Sequence, residues 1–163
     1  MRNLLFLSGM ILALSLGSCA LTPSDYNTAI MNQVVGVENE AANITKLLQE
    51  RDFDGAQTAL ATGQERVKSA LDRLEKMSAF RGDDALRQAA ISFVSFYDRI
   101  FSNEYQESLD LLKRGGPFSM DESDHLFEIL QSISNEGIEV KENFIAENLA
   151  FIERYGLIVQ RRP

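Results

Sequence analysis

Apolar residues recur at every third or fourth position through most of this chain, and that spacing limits its fold more than any other feature. A period near 3.6 is that of an α-helix with one face turned to a core. Four such stripes follow one another, and the later three occupy residues 53–77, 85–113 and 121–155, the last of them through Leu126, Leu130 and Ile133. The first and most regular consists of Tyr26, Ile30, Val34, Val37, Ala41, Ile44 and Leu48. The pattern predicts four long helices.

Turn and capping residues separate these stripes. Thr22-Pro23-Ser24-Asp25 predicts the start of the first helix, and Gly82 with Asp83 predicts the end of the second and the N-cap of the third. Gly115-Gly116-Pro117 stops the third helix, and Ser119 with Glu122 fits a capping box for the fourth. The third helix is predicted to run unbroken from Ala85 to Lys113.

Short connections make consecutive helices antiparallel neighbours, so the chain is predicted to be all-α, an up-down-up-down antiparallel four-helix bundle. Two stacked helical hairpins are the alternative architecture. We expect the fourth helix to be continuous, although residues 135–137 offer a point where it would divide. The predicted organisation is a cleaved segment (1–18), a short tether (19–24), the bundle (25–156) and a tail (157–163).

The first residues have the layout of a secretory signal peptide. Arg2 precedes a mostly apolar run from Leu4 to Leu16, and small residues then lead to the single cysteine, Cys19. The apolar run is shorter than the roughly 18 to 20 residues needed to cross a bilayer as a helix. We therefore expect a segment that is cut rather than a permanent transmembrane anchor.

The end of that segment, Leu16-Gly17-Ser18-Cys19, resembles the lipobox of bacterial lipoproteins. The resemblance implies that the Cys19 thiol carries a diacylglyceryl group, that the signal is removed just before it, and that the new N-terminus is acylated. Several acyl chains hold a protein durably on a membrane, whereas a single chain does so only weakly. The alternatives are an ordinary cleaved signal with a chance cysteine, and an uncleaved short anchor.

The residue after the cysteine bears on location. In lipoproteins of enteric type an Asp there signals retention in the inner membrane, and this chain has Ala20. The resemblance therefore favours the outer membrane of a cell envelope over the inner one, and leaves the periplasmic or surface face open. As a whole, residues 20–163 resemble the small, largely uncharacterised helical envelope lipoproteins of Gram-negative bacteria.

Charge excludes one class of partner. Without residues 1–18 the chain has 15 basic and 24 acidic residues, a net charge of −9. Nucleic-acid binding depends on Lys and Arg that neutralise phosphates, so no nucleic-acid partner is expected. Electrostatic docking on anionic lipid is disfavoured for the same reason, which leaves the lipid on Cys19 as the membrane attachment.

Neither a cofactor nor an enzymatic site is predicted. His125 is the single histidine, which excludes a ferritin-like di-iron centre, and no nucleophilic triad or phosphate-binding glycine loop is present. The aromatic residues of the third stripe are interpreted as core, with a ligand cavity as the alternative reading. They are Phe93, Phe96, Tyr97, Phe101 and Tyr105.

The fourth stripe carries most of the negative charge, a net −7 between residues 119 and 155. A solvated helix face explains this charge, and the functional alternative is a docking surface for a basic protein. The candidate docking residues are Glu128, Glu136, Glu139, Glu142 and Glu147. The sequence thus predicts a non-enzymatic, lipid-anchored envelope protein that binds a macromolecule or has a structural role; the alternative is a carrier of an apolar small molecule in the bundle.

Overall fold

A computed structural model describes residues 21–157, which form five helices and no β-strand. The helices are α1 (Pro23–Gln49), α2 (Phe53–Lys76), α3 (Ala85–Ser102), α4 (Glu104–Arg114) and α5 (Met120–Arg154). The prediction of an all-α fold is therefore confirmed for this part of the chain. The predicted signal segment, Cys19 and the tail beyond residue 157 lie outside the described residues.

The first two stripes form the helices predicted from them. Thr22 and Asp25 make a reciprocal capping box at the start of α1, in which the Asp25 N–H donates to the Thr22 hydroxyl at 3.1 Å. The stripe of α1 is buried from Tyr26 to Ile44. On α2 the interior Gly63 is explained by a close crossing, because a Cβ there would lie 2.9 Å from the Phe101 ring.

The prediction of an unbroken third helix is wrong, because the structure divides it into two helices. The backbone leaves helical geometry at Asn103 (φ −119°, ψ −79°), so that α3 ends at Ser102 and α4 begins at Glu104. Beside the interruption, the Gln64 side chain on α2 donates a hydrogen bond to the Phe101 carbonyl at 3.0 Å. A side chain that donates a hydrogen bond to a helix carbonyl, and so competes with the backbone N–H, is a known cause of local bending.

The long last helix, α5, is continuous through Gly137, as expected from the sequence. Its predicted capping box is present, with the Glu122 N–H donating to the Ser119 hydroxyl at 3.2 Å. The predicted core stripe needs a correction near its start. Leu130 is 54% exposed, and the adjacent Ile129 is buried instead.

The turn between α2 and α3 also differs from the prediction. Gly82 has φ +85°, which suits a glycine, but the N-cap of α3 is Asp84 rather than Asp83. The Asp84 carboxylate accepts hydrogen bonds from Arg87 and Gln88 and none from the helix backbone. Arg87 also donates to the Leu74 carbonyl at 3.2 Å, so it ties the start of α3 to the last turn of α2.

The helices share one core, and α3 touches every other helix. Two groups of aromatic rings lie in it. One connects Phe93 of α3 to Phe144 of α5, with ring centroids 5.7 Å apart. The other joins Tyr26 to Phe151 at 5.6 Å and to Phe80 at 5.2 Å. Spacings of this size are those of favourable aromatic pairs.

The Asp84 and Arg87 pair predicts an acid response. Hydrogen bonds from Arg87 and then Gln88 lower the pKa of Asp84 from 3.8 to about 2. A carboxyl whose pKa is depressed by folding stabilises the protein above its unfolded pKa and loses that contribution as pH falls through its folded pKa. We expect Asp84→Asn to lower the unfolding temperature at pH 7, and the gap from wild type to shrink between about pH 4 and pH 2. A gap that stays constant over that range in thermal unfolding would contradict this assignment.

Candidate surface on helix α5

Helix α5 is the least buried of the long helices. Only Ile129, Phe144 and Phe151 of its 35 residues are buried, whereas α3 buries eight residues of 18. Six large apolar side chains of α5 are instead between 46% and 80% exposed. We call them the α5 ridge: Met120, Phe127, Leu130, Ile138, Ile145 and Leu149.

The members of the ridge recur along one side of the helix, with exposed polar side chains such as Gln131 and Ser134 between Phe127 and Ile138. At about 100° per residue, all of its members except Leu130 project within about 40° of one another. From Phe127 to Leu149 the ridge extends about 33 Å at 1.5 Å per residue. Scattered exposed apolar residues are normal on a protein surface, but aligned ones form a patch of the kind that marks an interaction site.

The structure places the five candidate glutamates in different surroundings. Glu136 pairs with Arg99 of α3, and Glu147 is partly buried. Glu128, Glu139 and Glu142 are exposed and make no salt bridge to any residue between 21 and 157. We call these three the acidic edge, because they project within about 60° of one another next to the ridge.

A cleft lies on the other side of the ridge from the acidic edge. It has a volume of about 230 Å³ and opens between α5 and the aromatic side chains of α3 and α4. Ile138 belongs to both the ridge and the cleft. Gly137 allows α5 to pack closely against α3 at the cleft, because a Cβ there would lie 3.3 Å from the Phe96 ring. The lining residues are Phe96, Tyr97, Ile100, Tyr105, Ile133, Ser134, Gly137, Ile138 and Lys141.

Helix α1 borders the same region. Lys141 of α5 donates to Glu38 of α1 at 2.9 Å, so this cation is already paired. Val35 lies on the same flank of α1 as Glu38, one turn away, and is 42% exposed. The surface therefore runs from Val35 across the cleft and the ridge to the acidic edge, and the charges on it that have no salt bridge among the described residues are negative.

The aromatic stripe of the third predicted helix divides between core and cleft. Phe93, Phe96 and Phe101 are buried, as the core interpretation required. Tyr97 and Tyr105 are partly buried and line the cleft, and burial raises the pKa of Tyr97 to about 12. The cleft is smaller than the roughly 300 Å³ at which small-molecule pockets usually begin.

His125 lies on the surface, with its Nε2 atom 2.7 Å from Glu107 of α4. Between residues 21 and 157 no three His, Cys, Asp or Glu side chains come together as a metal site. None of the helices in that range has the length and apolar character needed to span a membrane. The chain matches no protein-family model, no curated protein and no solved structure in the comparisons made.

Sequence reasoning missed the ridge. The spacing of α5 predicts one buried stripe, and every ridge residue except Leu130 lies outside that stripe. A signal was nevertheless present, because Phe127, Ile138 and Leu149 recur at intervals of eleven residues, or slightly more than three full turns. Such spacing returns to the same side of a helix and would have revealed a second apolar face.

A pair of substitutions separates core from surface. We expect Phe93→Ala, at a side chain only 1% exposed, to lower the free energy of unfolding by about 3 to 5 kcal/mol. Phe127→Ala, at a side chain 64% exposed, removes the same ring from the ridge and should change it by no more than about 0.5 kcal/mol. Urea unfolding of both variants measures the difference. Equal losses would mean that the ridge is part of the core.

Proposed function

We propose that this protein is a non-enzymatic, lipid-anchored component of a bacterial cell envelope, built as an up-down-up-down four-helix bundle, that binds a basic protein through the surface of α5. The outer membrane is the proposed location. The observation that carries the binding role is the acidic edge beside the α5 ridge: three exposed carboxylates that form no salt bridge within residues 21–157, next to several exposed apolar side chains.

The anchor is supported by sequence. Leu16-Gly17-Ser18-Cys19 follows an apolar run of signal-peptide length, and Cys19 is the only cysteine in the chain. Residues 21–157 offer no alternative spanning helix. Helix α1 begins at Pro23, four residues after Cys19, so an anchored bundle would lie close to the membrane.

Contacts between helices support the antiparallel topology. Asn27 of α1 donates to Asn148 of α5, while Glu38, further along α1, pairs with Lys141, further back along α5. The same reversal relates α2 to the interrupted third helix: Gln57 meets Gln106, and Gln64 meets the earlier Phe101. Consecutive helices joined by short turns favour this arrangement.

A carrier of an apolar small molecule is the second candidate. The cleft beside Tyr97 is its supporting feature, because aromatic rings and aliphatic side chains line it. Its volume of about 230 Å³ limits a ligand to a small one. A native mass spectrum of the purified protein distinguishes the two candidates, since a carrier would retain a ligand mass.

The anchor is tested at its single thiol. Cys19→Ser removes the only group able to form the thioether, so we expect the variant to lose its acyl mass and to remain unprocessed or leave the membrane fraction. Intact mass and detergent partitioning measure both effects. If mass and partitioning match those of wild type, the lipoprotein assignment fails.

Partner binding is tested with charge variants. The lipidated wild type should retain a basic protein in pull-downs from solubilised envelope, and Glu128→Gln, Glu139→Gln and Glu142→Gln together should weaken that retention. Attraction between exposed charges falls as salt screens it over about 8 Å at physiological ionic strength, so retention by wild type should also fall with salt. The control replaces exposed glutamates on α2, Glu65→Gln with Glu75→Gln. Equal retention by all three proteins at every salt concentration would contradict the proposal.

A further inference from the structure

The ridge and the acidic edge together define a particular kind of partner. We propose that the α5 surface binds an amphipathic helix of another protein, with its apolar face on the ridge and its Lys or Arg side chains along the acidic edge. This inference rests on the proposed function and specifies the chemistry of the partner. It adds the ridge and the cleft, which the acidic residues alone did not imply.

Geometry supports a helix as the ligand. The ridge extends about 33 Å between Phe127 and Leu149, a length that a helix of about 22 residues covers. Apolar side chains of an amphipathic helix repeat on one face in the same way and pack into such grooves through residues at i, i+3, i+4 and i+7. The cleft between Tyr97, Ile133 and Ile138 provides a recess beside the ridge for one of those side chains.

The charge of this surface determines the sign of the charge that its partner carries. Glu128, Glu139 and Glu142 are exposed along one side of the ridge without a salt bridge in the described residues. On the other side Lys141 is neutralised by Glu38. The surface therefore presents uncompensated negative charge to whatever lies on the ridge. A helix with basic residues on the matching side complements it, and complementary charge sets both register and association rate.

The same charge disfavours other occupants of the ridge. A second copy of this chain would bring an α5 helix of net charge −7 against an identical one. An anionic membrane surface would be repelled in the same way, since such surfaces attract Lys and Arg. Neither supplies the cations that the acidic edge lacks.

Two synthetic helical peptides test the proposal. Both are 21 residues long with leucine at every third or fourth position, and they differ only in carrying lysine or glutamate beside the leucine face. The purified protein, as the cell processes it, is placed in phosphatidylcholine nanodiscs, with empty nanodiscs as the blank. Fluorescence anisotropy then measures binding. We expect the lysine peptide to bind with an affinity that falls as salt rises, and the glutamate peptide to bind at least about tenfold more weakly, a difference that corresponds to about 1.4 kcal/mol.

Matched variants identify the surface used. Ile138→Ser with Ile145→Ser removes apolar contact from the ridge and should weaken binding of the lysine peptide about tenfold, as loss of central interface residues does. Glu139→Gln with Glu142→Gln should weaken it by about threefold or more at low salt and reduce its salt dependence. The controls are Leu21→Ser for an exposed apolar side chain off α5, and Glu65→Gln with Glu75→Gln for charge. They should bind within about twofold of wild type.

Several results would overturn the inference. These are equal binding of the two peptides, unchanged binding by the ridge variant, or self-association in sedimentation that the ridge variant abolishes and the lysine peptide does not displace. The last result would assign the ridge to a second copy. A basic protein captured through the acidic edge but unaffected by the ridge variant would preserve the proposed function and reject the amphipathic helix. The opposite result is binding of the lysine peptide that both the ridge variant and the acidic-edge variant weaken, with no basic protein captured from the envelope. That result would support the amphipathic-helix inference and reject the proposed function.

Discussion

The fold depends on burying both sides of α3. Eight of its 18 residues are buried, and their side chains contact helices that are far apart in the sequence. Phe93 meets Phe144 of α5, and Phe101 lies against Gly63 of α2. A chain of this size without a disulfide gains most of its stability from such apolar contacts. The rest of the bundle is arranged round this helix.

The central position of α3 also explains its interruption. At Phe101, α3 packs closely against α2. A Cβ at position 63 of α2 would lie 2.9 Å from the Phe101 ring, so this position requires glycine. The neighbouring Gln64 side chain donates a hydrogen bond to the Phe101 carbonyl. The chain then leaves the helix at Asn103, and α4 begins at Glu104. The interruption leaves Tyr105 beside Thr45 of α1, where it forms part of the cleft floor. Local packing thus helps to create the recess next to α5.

Helix α5 has two apolar faces, one buried and one exposed. Its inner face contributes Phe144 and Phe151 to the core, and ion pairs such as Arg99 with Glu136 hold one flank to α3. Its outer face presents the ridge. Exposed apolar side chains contribute little to the stability of a monomer, and those of the ridge lie beside carboxylates that form no salt bridge within residues 21–157, which is why we propose a binding role for this face.

The sequence by itself determined the helical class, the extent of α1, α2 and α5, the start of α1 at Thr22 and the capping box of α5. These follow from interactions between residues three or four apart, which the chain records directly. It also contains the lipobox pattern, whose role stays a prediction. Three features were decided only by tertiary structure: the interruption at Asn103, the choice of Ile129 over Leu130 as the buried residue, and the pairing of Glu136 with Arg99, whereas Glu139 has no salt bridge to residues 21–157. Each depends on which neighbouring helix lies opposite and at what height, and contacts between residues distant in the sequence leave no local periodic signal.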